Sequence, residues 1–185
     1  KMNKNNVSIR KKYEDYTAEI YYQNFGDNYI NPHEKNIETA LKIALNKWTL
    51  NLDKVLDLAC GSGEVTLILK KLGYENIEGM DPYTYNAYLK RTGKPAEKYT
   101  FADISTGIIA ERKYSLIIIS FALHLLEESR LPIFLYQVSL ITNSLIIITP
   151  HKRPEIKPQL GWNLIDEILF NRVRVRLYKT TDRPA

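Results

Sequence analysis

Short apolar segments alternate with amphipathic segments along most of this chain, and this alternation constrains the fold more than any other feature. The strand-like segments are 54–58 (KVLDL), 76–80 (NIEGM), 98–102 (KYTFA), 114–120 (YSLIIIS) and 144–149 (SLIIIT). Helical spacing of apolar residues fills the intervals 64–73 and 127–141. Strands that alternate with helices imply right-handed crossovers. The sequence therefore predicts an α/β fold, a doubly wound and mainly parallel sheet with helices on both faces.

The two ends of the chain complete one predicted domain of 185 residues. Residues 1–35 form an N-terminal strap or lid, and 36–150 form the core, beginning with an amphipathic helix at 36–48. Residues 151–185 form a basic segment. Within it, 161–171 is predicted to be a helix and 172–178, with its alternating Arg and aliphatic residues, a half-buried strand.

Several classes of protein are excluded by composition. A single cysteine and three histidines provide neither a disulfide framework nor a structural zinc site, and no metal is expected. The longest apolar runs fall short of the ~20 residues that span a bilayer, so no membrane anchor is expected. The polar N-terminus has no apolar segment typical of a secretory signal. We therefore expect a cytoplasmic or nuclear location.

The loop after the first strand is the expected ligand site, because ligands of doubly wound sheets bind beyond the carboxyl ends of the strands. This loop reads Asp57-Leu58-Ala59-Cys60-Gly61-Ser62-Gly63. Its small residues allow close approach of a ligand to the backbone. The acidic Asp57 favours a cationic group over a phosphate. The glycine spacing of dinucleotide-binding and Walker loops is not met.

The segment 55–81 (VLDLACGSGEVTLILKKLGYENIEGMD) resembles the first two motifs of the class I S-adenosylmethionine-dependent methyltransferases, whose fold is Rossmann-like. The family's nucleotide loop has the form Asp-x-Gly-x-Gly-x-Gly, and Ala59 replaces its first glycine here. SLIIISFALHLLEE is similar to the fourth motif and SLIIITP to the fifth strand. The resemblance covers about 36–150.

The resemblance implies S-adenosylmethionine as cofactor and S-adenosylhomocysteine as product. It assigns Asp57, Gly61 and Gly63 to the methionine end. It assigns Asp81 to the ribose and Asp103, beside Ile104, to the adenine. The full predicted set is Asp57, Ala59, Gly61, Ser62, Gly63, Asp81, Pro82, Asp103, Ile104, Ser120 and Phe121. Glu64 is interpreted as a first-turn acid that the helix dipole favours. Cys60 is interpreted as a small buried residue.

Methyl transfer needs alignment of donor and acceptor more than it needs covalent catalysis. His124 is the candidate acid or base, and its alternative is a solvent-facing residue or one that packs under a lid. Tyr22 and Tyr29 are candidate substrate contacts, unless the tyrosine-rich N-terminus is a strap that packs its rings on the sheet edge. The chain lacks the Asn/Asp-Pro-Pro-Tyr motif of amino-methylating members, which disfavours adenine and glutamine amide acceptors. Small molecules, RNA and protein remain open.

Net charge is +5, and most of the excess lies in 151–185, which has 8 Lys and Arg against 4 Asp and Glu. Arg172, Arg174 and Arg176 share one face of the last strand. This row could contact RNA phosphates, or it could pair with Asp166 and Glu167. Trp162 is interpreted as a packing anchor. The oligomeric state is not predicted.

Only one strand-like segment follows 144–149, whereas the family has seven strands. The resemblance therefore leaves either a missing seventh strand or an incomplete domain. A second functional hypothesis is also open, in which the chain binds the cofactor without catalysis and serves as a partner or scaffold for another subunit.

Overall fold

The computed structural model describes residues 18–181, which form one seven-stranded sheet in the order β3-β2-β1-β4-β5-β7-β6. The strands are β1 Val55–Leu58, β2 Ile77–Met80, β3 Ala96–Glu97, β4 Leu116–Ser120, β5 Ser144–Thr149, β6 Trp162–Phe170 and β7 Val173–Thr180. The helices are α1 Ala18–Phe25, α2 Glu34–Lys47, α3 Glu64–Lys71, α4 Tyr85–Thr92, α5 Phe101–Ser105 and α6 Leu131–Ile141. Strands β1 to β5 are parallel and β7 is antiparallel to β5. The predicted α/β fold is confirmed.

Two apolar clusters cover the two faces of the sheet. One cluster includes Phe134 of α6 and Trp162, and the other includes Ile37 of α2 and Leu69 of α3. Both faces are covered, so every residue of β5 is buried. This explains why the β-branched runs of β4 and β5 were recognisable in the sequence.

The predicted helix at 161–171 is wrong, because this segment is strand β6, paired with β7. Asn171 and Arg172 both have positive φ, as a two-residue hairpin turn requires. A β-bulge between Leu164 and Asp166 interrupts the alternation that would have revealed the strand. The seventh strand is therefore present, and the basic segment is a hairpin rather than a helix and a strand.

The predicted strand at 98–102 is also wrong, because β3 is only Ala96–Glu97. Helix α5 begins at Phe101, where Thr100 and Asp103 form a reciprocal capping box. The Thr100 hydroxyl accepts from the Asp103 amide at 3.0 Å, and the Asp103 carboxylate accepts from the Thr100 amide at 2.8 Å. These local bonds favour a helix start over an extended strand.

The described part of the N-terminal segment lies against α4 and the loop after β2. The Asn86 side chain donates to Asp27 Oδ1 at 2.9 Å, and Gly26 lies against the carbonyl of Tyr83 so closely that a side chain would clash. Residues 29–31 are thereby held beside the carboxyl ends of β1 and β2. Within residues 18–181, no helix combines the length and the apolar character needed to cross a bilayer.

Candidate functional site

A cavity of about 390 Å³ opens at the carboxyl ends of β1, β2 and β4, where the sequence places the ligand. Its volume falls in the range of small-molecule sites. The lining includes Tyr29, Asn31, Asp57, Ala59, Cys60, Gly61, Glu64, Asp81, Pro82, Thr84, Tyr99, Phe101, Ala102, Ser120, Phe121, Leu125, Glu127 and Arg130. The described N-terminal residues, the β1 and β2 loops and the β4 loop thus form one site.

The loop between β1 and α3 depends on left-handed backbone conformations. Ala59, Gly61 and Gly63 have φ values of 56°, 57° and 90°. A Cβ on Gly61 would lie 3.2 Å from Glu64 Oε2, and a Cβ on Gly63 would lie 2.5 Å from Thr92 Cγ2. Glycine at these two positions keeps the loop close to its neighbours. Gly63 and Ser62 support the loop from behind and do not line the cavity.

Asp57 is almost completely buried, and only one of its carboxylate oxygens is satisfied. Oδ2 accepts from the Thr66 amide at 3.1 Å and from the Thr66 hydroxyl at 2.7 Å. Oδ1 is buried without a hydrogen-bond partner among the described residues. Burial raises the pKa of Asp57 to about 8, and the nearby charge of Glu64 adds to the effect. An unpaired buried acceptor of this kind suits a donor or cation supplied by a ligand.

Asp81 is held by three backbone amides at the end of β2. Its Oδ1 accepts from Tyr83 and Thr84, both at 2.9 Å, and its Oδ2 accepts from Gly61 at 3.2 Å. Burial nevertheless raises the pKa of Asp81 above its usual range. The side chain therefore links the β1 and β2 loops, and its carboxylate oxygens retain lone pairs for a ligand.

Glu64 is a site residue that sequence reasoning missed, since it was interpreted only as a first-turn acid. Its side chain is buried and lines the cavity, and burial raises its pKa. The Ser62 hydroxyl donates to Glu64 Oε1 at 3.2 Å, and Arg91 donates to that hydroxyl at 2.8 Å. A second nitrogen of Arg91 contacts Glu34 at 2.5 Å. No sequence signal indicates this burial, because an acid on a first helical turn is explained by the helix dipole alone.

Asp103 and Ile104 do not line the cavity. The carboxylate of Asp103 is part of the α5 capping box, and the Thr100 amide and then its hydroxyl lower the pKa of Asp103. Ile104 lies in the core cluster under α6. The lining beside them consists of Tyr99, Thr100, Phe101 and Ala102. The roles predicted for Asp103 and Ile104 stay predictions that the geometry does not favour.

Ser120 and Phe121 line the cavity at the end of β4. Ser120 Oγ is buried without a partner among the described residues. Phe121 has a φ of 53°, and its ring lies 5.3 Å from that of His33. Tyr29 also lines the cavity. Tyr22 lies in α1, and its side chain is outside the described part of the structure.

His124 lies outside the cavity lining, on the turn that carries Leu125. Its ring contacts that of His151 at a centroid separation of 4.6 Å. Although His124 is an exposed residue, neighbouring atoms partly desolvate its ring. This desolvation, followed by the charge of His151, lowers the pKa of His124 to about 4. The ring is therefore neutral at pH 7. No group of three or more metal-binding side chains occurs in residues 18–181.

The arginine row of the hairpin is largely paired within the molecule. Arg174 and Arg176 contact the two carboxylate oxygens of Glu167 at 2.7 and 2.6 Å. Although partial burial opposes the effect, Arg176 and then Arg174 lower the pKa of Glu167. Asp166 pairs with Lys47 at 2.6 Å. Trp162 is fully buried and donates to the Leu135 carbonyl. Because Arg174 and Arg176 are paired with Glu167, they no longer support the predicted contact with RNA, which stays a prediction.

Sequence comparison relates the chain to one curated protein, an uncharacterized protein of Schizosaccharomyces pombe. The two are 31% identical over a 218-residue alignment that covers 88% of each chain. No family model matches the sequence. The chain and the yeast protein belong to one sequence family.

Structure comparison relates the fold to solved methyltransferases at low sequence identity. A SAM-dependent methyltransferase of Anabaena variabilis aligns with a TM-score of 0.64 and 12% identity, over 88% of this chain and 93% of that one. A TehB-like SAM-dependent methyltransferase of Corynebacterium glutamicum aligns with a TM-score of 0.59 and 15% identity, over 93% and 100%. The magnesium protoporphyrin IX methyltransferase of Synechocystis, solved with bound SAM, aligns with a TM-score of 0.57 and 16% identity, over 94% and 96%.

Proposed function

We propose, from a fold shared with solved S-adenosylmethionine-dependent methyltransferases, that this chain is a class I member of that family and transfers a methyl group from S-adenosylmethionine to an acceptor. The observation that carries the proposal is the unpaired Oδ1 of Asp57 at the end of β1, in a cavity that Asp81 also lines. The predicted Asp57 and Asp81 thus meet in one cavity of suitable size.

The acidic lining of the cavity fits the cationic groups of this cofactor. S-adenosylmethionine carries a sulfonium and an ammonium cation, and the cavity is lined by three buried carboxylates, those of Asp57, Glu64 and Asp81. Burial raises the pKa of all three groups. A buried carboxylate without a counterion is costly, and a bound cation removes part of that cost. An anionic dinucleotide would add to it.

The residues that line the cavity would have different roles in binding the cofactor. Asp57 and Glu64 would hold the cationic end of the cofactor, and Asp81 would accept from hydroxyl groups beside the β2 loop. Phe121 and Tyr29 would exclude water from the same cavity. When bound, the sulfonium supplies an electrophilic methyl group to an acceptor aligned with it. His124, neutral at pH 7, would be available to accept a proton, provided that its loop moves toward the cavity.

The acceptor is a small molecule, an RNA or a protein. The experiment that tests the function is transfer of a tritiated methyl group from S-adenosylmethionine to fractionated metabolites, RNA and protein. The Asp81→Asn variant provides the control. Label that enters one fraction with the wild type and not with the variant supports methyl transfer. No labelled product in any fraction, despite cofactor binding, would contradict it.

One observation favours the alternative of a cofactor-binding partner or scaffold subunit. The candidate base His124 lies outside the cavity lining, as expected if the acceptor side has no catalytic role. In that case Asp81→Asn would lose cofactor binding, but a cellular function of the protein would survive. An enzyme would lose both.

A further inference from the structure

Behind the cavity, two buried hydroxyl groups continue the hydrogen-bonding of Asp57 into the protein. Thr66 Oγ1 lies 2.7 Å from Asp57 Oδ2 and 3.0 Å from the Tyr88 hydroxyl. Thr66 and Tyr88 are both completely buried. Neither residue lines the cavity. Contact with a ligand therefore does not explain why two polar side chains meet here.

The direction of this chain follows from the donors available. An ionised Asp57 can only accept, so the single Thr66 hydroxyl proton points to Oδ2. The Tyr88 hydroxyl must then donate to Thr66. Burial, followed by the charge of Asp57, raises the pKa of Tyr88, which keeps its proton in place. The order of donation is therefore Tyr88 to Thr66 to Asp57.

The packing around Tyr88 indicates that its position is closely defined. A Cβ on Gly79 of β2 would come within 2.5 to 2.9 Å of two ring carbons and the hydroxyl oxygen of Tyr88. A Cβ on Gly63 would come within 3.1 Å of the same ring. Glycine at both positions admits the ring, so its hydroxyl reaches Thr66 from a rigid location.

We infer that Thr66 and Tyr88 are positioning residues. Their hydrogen bonds occupy Asp57 Oδ2, so that Oδ1 is the oxygen that binds a cationic ligand in the cavity. The inference rests on the proposed cofactor site. Because Oδ2 already accepts two donors, the proton of a neutral Asp57 resides on Oδ1. When a cation binds, the O–H bond at Oδ1 breaks and the proton passes to the solvent buffer. Thr66 and Tyr88 thereby set the ligand affinity at a given pH.

Other groups that face Asp57 act in the same region. Glu64 approaches from α3 and Asp81 from the β2 loop, and the charge of each raises the pKa of Asp57. Cys60 is on the same loop, and burial raises the pKa of its thiol, which is therefore neutral. Among the groups that stabilise the charged form, Thr66 is the main one that a substitution can remove without changing a charge.

The test measures the pKa of Asp57 in the protein without ligand. The carboxyl carbon is followed by NMR across pH, and Asp57→Asn assigns the signal. Thr66→Val removes the hydroxyl, Thr66→Ser retains it, and Tyr88→Phe removes the outer donor. Tyr178→Phe is the matched control, because Tyr178 is nearly as buried as Tyr88 and lies in the apolar cluster that contains Phe134. Each variant is checked for cooperative unfolding.

We expect the titration midpoint of the Asp57 carboxyl group to rise by about one pH unit in Thr66→Val, and by less in Tyr88→Phe. It should stay unchanged in Tyr178→Phe and return toward the wild-type value in Thr66→Ser. S-adenosylmethionine affinity at pH 7 should fall about tenfold in Thr66→Val. Unchanged midpoints in both Thr66→Val and Tyr88→Phe would overturn the inference. Shifted midpoints without binding of S-adenosylmethionine to the wild type would support the positioning role and contradict the proposed function.

Discussion

The β1–β2 edge and the β6–β7 hairpin treat charge in opposite ways. At the β1–β2 edge, burial raises the pKa of Asp57, Glu64 and Asp81. On the hairpin, Glu167 is paired with two arginines and its pKa is lowered. Removing one partner of an ion pair leaves the other charge uncompensated, and a buried carboxylate without a counterion is costly until a ligand supplies a positive charge. The comparison predicts a functional role for the first region and a structural role for the second.

The largest expected effect on binding is a loss of cofactor affinity at the β1–β2 edge. Asp81→Asn replaces a carboxylate oxygen that accepts from backbone amides with an amide group that donates. We expect S-adenosylmethionine affinity to fall by about 100-fold or more, measured by calorimetry. Asp166→Asn is the control, because it removes the same charge on the hairpin. A similar loss of affinity in both variants would contradict the distinction between the two regions.

The largest expected loss of stability is at the β6–β7 hairpin. Glu167→Ala leaves Arg176 without its carboxylate partner, and Arg176 is only 8% exposed. We expect the free energy of unfolding to fall by about 2 kcal/mol in urea denaturation. Cofactor affinity should stay within twofold of the wild type. Loss of affinity without loss of stability would assign the hairpin a role in binding.

The raised pKa of Asp57 should also make the stability of the protein depend on pH. Because the folded pKa is raised to about 8, the folded protein binds more protons than the unfolded protein from about pH 4 to pH 8. Stability without ligand should therefore decline as pH rises through this window. The stability advantage of Asp57→Asn over the wild type should be small at pH 4 and should grow to about 5 kcal/mol at pH 8. Thermal unfolding at both pH values measures this.

The smallest expected effect concerns Asp103. If its role is the α5 cap, Asp103→Ala should lower the free energy of unfolding by about 1 kcal/mol and leave cofactor affinity nearly unchanged. A tenfold loss of affinity with unchanged stability would instead support the adenine role predicted from the sequence.

Much of the fold could be predicted because β1, β4 and β5 are buried on both faces and read as continuous apolar runs. The hairpin could not, because the bulge beside Leu164 shifts the alternation and exposed Leu169 imitates helical spacing. In the site, Asp57 and Asp81 could be predicted from their places at the carboxyl ends of β1 and β2. Glu64 could not, because its burial depends on Ser62 and Arg91, the latter 27 residues further on.

The most direct measurement is calorimetric titration of the wild type with S-adenosylmethionine at pH 6 and pH 7.5, in two buffers with different ionisation enthalpies. If unpaired buried carboxylates hold the cation, binding should be micromolar, should tighten about tenfold with rising pH, and should release protons to the buffer. Absence of binding at both pH values, or affinity that falls as pH rises, would contradict this explanation of the site.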